Sequence, residues 1–307
     1  MHFLQSEAWE TFQRSLGRKT FRREGDGWSY LAILETGSMG TTRLYCPYGP
    51  TVDSPRVLKT ALDSLTALAH SQKVLSLRVQ PTGIPISKSE LSSLKLKQID
   101  YSQPSHTWHI DLSKDRDEII ANMNQNNRSI VRNYSKKGLM YEQSNNPKDI
   151  TRLTHLLHQV ADQNKITVHS DEYFEKQATS LIGSDAASLH FITFEEQTIA
   201  AALVYEDATT SYYAHAAASH EHRKLNASTA LLGEIILDAK AKGKLICDLY
   251  GITDSPDSTH RWAGFTKFKK SFGGYEVTYS DTYELPIHRL RFAAYTTLRS
   301  LKKLLLK

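Results

Sequence analysis

The sequence predicts an α/β or α+β protein built from two related halves, on three observations. Compact apolar runs of strand length occur at Val74 to Val79 (VLSLRV) and Leu245 to Ile252 (LICDLYGI). A helical pattern precedes each. One opens at Ser54 and Pro55 and puts Val57, Ala61, Leu65 and Leu68 on one face; the other runs from about Leu225 to Lys242 and stops at Gly243. A strand pattern stands before each helix, at Thr41 to Cys46 and Thr210 to Ala217, so one strand, helix, strand unit occurs twice.

The other elements follow in order. Ser6 caps a helix over Glu7 to Leu16 that Gly17 closes, and Trp28 to Glu35 is the next strand. Between the two repeated units lie a strand at Trp108 to Leu112 and helices over Lys114 to Lys137, Pro147 to Gln163 and Asp171 to Ile182. A hairpin-like pair, SLHFITFE and TIAAALVYE, completes the series. The polar, proline-containing stretch Asp100 to Ser105 marks a domain boundary, and a second crossing falls near Glu284 to Pro286. The expected domains are residues 1–104 with 284–307, and residues 105–283.

Composition narrows the function classes. A chain of 307 residues, 40% hydrophobic and 23% charged, is that of an ordinary soluble protein with room for two cores. A net charge of +5 favours acidic partners. Cys46 and Cys247 both fall in strand patterns, which predicts buried free thiols and a reducing compartment. The start MHFLQSEAWE carries neither a charged leader nor an apolar core, and no long apolar run occurs, so a cytoplasmic protein without a membrane span is expected.

Chemistry concentrates late in the chain. Arg261 to Gly274 (RWAGFTKFKKSFGG) interleaves Arg261, Lys267, Lys269 and Lys270 with aromatic rings, a composition suited to a polyanion. Directly upstream, Asp248 and Tyr250 end a buried strand pattern, so polar groups are delivered beside a basic helix. His222 to Leu232 (HRKLNASTALL) sets basic residues before a helix start, with Asn226 or Ser228 as N-cap, where free amides would favour an anion. Acyl-CoA enzymes use a glycine-rich loop there, and this one has no glycine. Of thirteen histidines, only His155 and His158 form a helix-spaced pair beside an apolar face, with no carboxylate or cysteine cluster, so no metal is expected. GxSxG, GxxxxGKS and GxGxxG are absent.

Several stretches, taken in order, resemble the Fem family of aminoacyl-tRNA-dependent peptidyltransferases. LQSEAWETFQ is similar to the family's opening helix, and LYCPYGP (Leu44 to Pro50) to its Y-x-P-x-G-P turn. Trp108 to Leu139 resembles its strand and basic helix pair. Asp248 to Ile252 and Phe265 to Gly274 resemble its YDFGGI and GLxxFKxxFGG motifs.

The resemblance implies two tandem GNAT-like (acyl-CoA N-acyltransferase) domains without a helical-arm insertion. It implies transfer of an amino acid from aminoacyl-tRNA to the side-chain amine of a UDP- or lipid-linked muropeptide precursor, by a monomer with no cofactor. Under it, Lys269 and Asp248 are catalytic: the lysine holds tRNA phosphates or the oxyanion, and the aspartate orients the amine. Arg223, Tyr250, Tyr212, Tyr213, Arg78 and Arg14 bind the precursor, and Arg261, Lys267, Lys270, Arg128 and Arg132 bind tRNA, with Lys136 and Lys137 extending the second patch. Three positions depart from the family: Gln13 replaces a lysine, Gln80 an aspartate and Ala227 a tyrosine. An acyl-CoA-dependent N-acyltransferase and a non-catalytic tRNA- or membrane-binding relative stand as alternatives. Residues 287–307 form a helical pattern with Ile287, Leu290, Ala294, Leu298, Leu301 and Leu305 on one side and only cations for charges. That stripe either packs on the first domain or touches an anionic membrane.

Overall fold

The computed structural model describes residues 1–37, 40–86, 91, 93–100 and 102–305, with side chains through 298. The chain divides into two compact units, Met1–Ser105 with Tyr279–Lys307, and His106–Thr278. The return crossing comes a few residues earlier than the sequence suggests. Tyr283 pairs with Val79 of the first unit, and that pairing carries the preceding residues with it.

The first unit holds strands β1 (Thr20–Gly25), β2 (Trp28–Thr36), β3 (Thr42–Cys46), β4 (Thr51–Val52), β5 (Ser76–Val79) and β6 (Lys97–Gln98). The second holds β7 (His106–Asp111), β8 (Met140–Ser144), β9 (Ala187–Phe194), β10 (Gln197–Glu206), β11 (Thr210–Ala218), β12 (Ile246–Gly251) and β13 (Tyr275–Thr278). Strand β14 (Tyr283–Pro286) belongs to the first unit.

In the first unit helix α1 (Glu7–Ser15) starts where the Ser6 hydroxyl accepts from the Trp9 amide, and it buries Trp9 and Phe12. Gln5 sews this start to the sheet, donating to the Pro47 carbonyl at 2.6 Å and accepting from the Leu31 amide at 2.6 Å. Helix α2 (Pro55–Ser71) buries Leu58, Ala61, Leu62, Leu65 and Leu68 against the sheet ordered β1-β2-β3-β5-β14-β6, with β4 on β2. Around α2, strands β3 and β5 run parallel.

The second unit repeats that pattern. Its sheet is ordered β13-β7-β12-β11-β10-β9-β8. Helices α3 (Arg116–Asn122) and α4 (Gln125–Asn133) are capped by Asp115 and Asn124. They are followed by α5 (Ile150–Asn164), α6 (Asp171–Ile182), α7 (Ala227–Ala241) and α8 (Ala263–Lys270). Buried on nearly every side, α7 lies under the alanine-rich middle of β10. An added Cβ at Gly233 would stand 2.3 Å from a Val131 methyl, so the missing side chain is what lets α4 and α7 touch.

Strands β11 and β12 are parallel but pair only from Thr210↔Ile246 to Tyr212↔Asp248. Beyond that point β11 continues to Ala218 and β12 to Gly251 without pairing, so the sheet splays between them. On the other side of β12 the register slips between Asp248↔His109 and Gly251↔Thr107, a bulge in which Tyr250 takes a φ of 61°. Gly273 and Gly274 turn the chain from α8 into β13 with φ of 81° and 93°.

Helix α9 (Arg289–Leu305) is the last element, and Leu290 and Leu298 on it are 89% and 56% exposed. Ile287, where the apolar stripe begins, packs on the first unit's core, whereas Leu290, Ala294 and Leu298 stand exposed, so the packing expectation holds only at the start of the stripe; the side chains of Leu301 and Leu305 lie outside the described residues.

Gly274 and Gly243 give a test of the turn. A Cβ at Gly274 would lie 2.1 Å from the His109 carbonyl oxygen, whereas Gly243, also at positive φ, has nothing within 4 Å. Urea unfolding should show Gly274→Ala losing about 3 kcal/mol and Gly243→Ala about 1 kcal/mol, the latter the ordinary left-handed cost. Equal losses would mean that the turn is not fixed by this close approach.

Candidate active site

The end of β12 gathers polar groups because alternation along it separates two faces. Cys247 and Leu249 enter the core with Ile110, while Asp248 points to the opposite face. Register then assembles a row across four strands: Tyr212 on β11, Asp248 on β12, His109 on β7 and Tyr275 on β13. Thr107, two residues before His109 on β7, shares that face.

Asp248 is fully buried, and its Oδ1 accepts from the Tyr250 amide at 2.7 Å, which holds the bulge. Its Oδ2 lies 3.3 Å from His109 Nε2, within ion-pair distance but off hydrogen-bond geometry, so both atoms are buried without a hydrogen bond. The Thr107 hydroxyl is buried in the same condition. Burial without a partner is costly for polar atoms, and three such atoms on one face mark a place where something is met.

Lys269 reaches this face from α8. Its ammonium end sits deep although the residue as a whole is only partly buried, and Nζ donates to the Gly251 carbonyl at 2.6 Å. Burial lowers its pKa to about 8, against the opposing pull of the Asp248 charge. The FGG turn closes the same corner: Trp108 Nε1 donates to the Gly273 carbonyl, and Lys270 stands 4.9 Å from the Trp108 ring centroid and 3.6 Å from Glu276.

Of the expected tyrosines, Tyr212 and Tyr250 meet edge to face at 6.1 Å beside Asp248. The Tyr212 hydroxyl donates to Asp207 at 2.9 Å, so its ring rather than its hydroxyl borders the row. Tyr213 points the other way. It packs on the core, where burial pushes its phenol well above the ordinary range, and it is not in the row.

Arg223 stands exposed in the 3-10 turn before α7 and donates to His220, with Asn226 in the left-handed conformation as N-cap and without a side-chain cap bond. Its contacts do not include Asp248 or Lys269 among the described hydrogen bonds and ion pairs. In the first unit, Arg78 bridges Glu284 and Ser102 with a side chain only 13% exposed, a structural tie rather than an open ligand. Arg14 donates to Glu10 and Thr20, while most of its side chain stays in solvent.

The two cationic stretches meet at one joint. Asn127 donates to Ser271 Oγ at 2.8 Å and the Asn124 amide to the Ser271 carbonyl, so the start of α4, with Arg128, abuts the end of α8. Arg132, Lys136, Lys137, Arg261, Lys267 and Lys270 are exposed, as is Phe265 on α8.

One cluster was not legible in the sequence, the three ligand-spaced groups of His190, Glu206 and Asp238. The Lys242 ammonium already lies 2.7 Å from Glu206 and 2.9 Å from Asp238, so a cation is in place. His190, bonded to Tyr141 and Ser188, is held neutral by burial, with a pKa of about 3.

Residues 184–300 match the model of the FemAB family. The crystal structure of FemX superposes with a TM-score of 0.81 at 18% identity, covering 95% of this chain and 94% of that one. The C-terminal domain of a putative lysylphosphatidylglycerol synthetase from Agrobacterium fabrum gives 0.61 at 12% identity, covering 95% and 91%. A tandem GNAT protein from the clavulanic acid biosynthesis pathway gives 0.55 at 12% identity, covering 86% and 81%. No curated protein matches the sequence. The resemblance to the Fem family and the fold of two GNAT-like units therefore hold.

The depressed pKa of Lys269 has a sign that can be checked. Below about 8 the ammonium is charged in both folded and unfolded chains and its burial cost is fully present. From there up to the ordinary value of 10.5 the folded chain has lost a proton that the unfolded chain retains, so stability rises with pH. Relative to Lys269→Met, the wild type should gain on the order of 1 kcal/mol between roughly pH 7 and 9.5 in urea unfolding. A constant difference would show that Lys269 is not desolvated.

Proposed function

We propose that the chain is an aminoacyltransferase that moves an amino acid from aminoacyl-tRNA to the side-chain amine of a peptidoglycan precursor peptide, UDP- or lipid-linked. The observation that carries this reading is the buried Lys269 ammonium at the end of β12, at the foot of a basic helix, inside the segment that matches the FemAB model.

The donor is an activated ester, so transfer needs a neutral amine, approach to the carbonyl and a stabilised oxyanion. Lys269, charged at neutral pH and screened from water, supplies a strong local field for an oxyanion or a terminal phosphate. Asp248 orients the amine. The phosphate chain of the precursor falls to Arg223 and the uncapped amides at the start of α7, since planar guanidinium and helix N-terminus both suit a diphosphate. Tyr250 and Tyr212 border the seat, and Arg14 is a first-unit cation whose side chain stays largely in solvent. Arg261, Lys267, Lys270, Arg128 and Arg132 hold the tRNA backbone, and binding weakens as salt displaces these phosphate contacts.

A second reading, an acyl-CoA-dependent N-acyltransferase, is favoured by the uncapped start of α7 and by the likeness to a tandem GNAT protein. The glycine-free loop between His222 and Leu232 weighs against it. A non-catalytic relative would explain why Gln13 and Gln80 are spent on internal bonds, to Arg18 and to the Ser280 carbonyl.

Incubation with a mixed charged-tRNA pool and muropeptides, followed by mass spectrometry, should show one added amino acid. Lys269→Ala should lower single-turnover transfer about a hundredfold with the fold intact, the scale of losing one oxyanion donor. Unmodified muropeptides together with thermal stabilisation by acetyl-CoA would favour the second reading, and tight tRNA binding without transfer the third.

The partner at α9 is proposed to be an anionic membrane surface. Leu290 and Leu298 are exposed on a helix whose charged residues, from Arg289 to Lys303, are all cationic. The chain should co-sediment with vesicles containing phosphatidylglycerol but not with pure phosphatidylcholine, and removal of residues 287–307 should abolish this. Undiminished sedimentation of the truncated chain would exclude α9 as the contact.

A further inference from the structure

Strand β7 contributes atoms that the transferase reading leaves unused. His109, on β7, lies beside Asp248 across the register, and its ring meets Tyr275 edge to face at 5.9 Å. Its sequence context, the strand pattern WHIDL, gives no catalytic signal of its own. His109 Nε2 and Asp248 Oδ2 are buried and 3.3 Å apart, yet neither makes a hydrogen bond. A pair that served only to close the fold would be expected to form that bond, because each buried atom otherwise bears its full desolvation cost. The pair also stands beside the last paired position of β11 and β12, where the sheet splays. The imidazole is not sealed, since 9% of its side-chain surface remains accessible.

We infer that His109, oriented by Asp248, is the group that takes the proton from the acceptor amine. This rests on the proposed transfer reaction and adds the proton acceptor it lacks. The steps balance. The substrate ammonium loses one proton to bulk water, the freed amine forms a C–N bond at the ester carbonyl, and the imidazole takes the second proton from that nitrogen. The C–O bond to the tRNA ribose then breaks, and the departing ribose oxygen takes the proton back from His109. The groups that face the imidazole are Asp248 from β12, Tyr275 from β13 and, through Asp248 and the Gly251 carbonyl, the Lys269 ammonium from α8. Thr107, on the same strand face with its own buried hydroxyl outside any hydrogen bond, lies two residues along β7.

The experiment uses the full chain with the charged-tRNA pool and muropeptide. His109→Gln should lower single-turnover transfer at saturating substrates by about a hundredfold, within the usual range for a general base, with half-saturation concentrations changed less than threefold. Added imidazole should restore part of the rate to His109→Gly, which a purely structural histidine would not allow. Without substrates, nitrogen NMR of labelled histidine should show the His109 ring signals changed by Asp248→Asn. Undiminished transfer by His109→Gln, or His109 signals indifferent to Asp248→Asn, overturns the inference. If the histidine variants fail to fold, the Asp248→Asn spectrum still decides whether the two groups are coupled. Absence of transfer by the wild type, by contrast, removes the transferase reading itself and the role of His109 with it.

Discussion

The contact between the Lys269 ammonium and the Gly251 carbonyl is the constraint on which the second unit's polar face depends. It pins the end of α8 to the bulged end of β12, and the same bulge is held from inside by Asp248 on the Tyr250 amide. Removing a cation from water is expensive, and a single neutral carbonyl offsets only part of that cost. The nearby carboxylate supplies more, though burial still outweighs it and the lysine titrates near 8. An arrangement held at such cost, with a tyrosine at positive φ beside it, has the character of a site kept for chemistry rather than for stability.

The two faces of the second sheet divide the labour. The α7 face is continuous hydrocarbon, from Ile110 and Cys247 through the alanines of β10, and it supplies the burial that holds the strands in register. Register in turn brings Tyr212, Asp248, His109 and Tyr275 into one row, because a slip by a single residue would send each to the core side. The bulge at Tyr250 is the one place where β12 departs from that regularity on its β7 side, and it is where Lys269 enters.

Much of this was legible in the sequence. The repeated strand, helix, strand unit, the cap at Ser6, and the delivery of Asp248 and Lys269 to neighbouring elements follow from local periodicity and turn chemistry. What was not legible depends on partners far apart in the chain. His109 is invisible as a site residue because its pairing with Asp248 joins strands separated by more than a third of the molecule. Tyr213 reads like Tyr212 in sequence, and only the direction of strand alternation distinguishes the row from the core. The cluster of His190, Glu206 and Asp238 also forms only when three distant segments pack, and Lys242 then occupies it.

The departures at Gln13 and Gln80 acquire a physical meaning from their surroundings. Both side chains are almost wholly buried, and each is bonded inside the first unit, Gln13 to Arg18 and Gln80 to the Ser280 carbonyl. A lysine at position 13 would put a second cation beside Arg18, and an aspartate at position 80 would put a charge where an amide now donates to a neutral carbonyl. At these two positions the first unit carries neutral amides, while the second unit holds a lysine ammonium and a carboxylate on one face. On the proposed transferase reading, that difference puts both the local positive charge and the proton acceptor in the second unit.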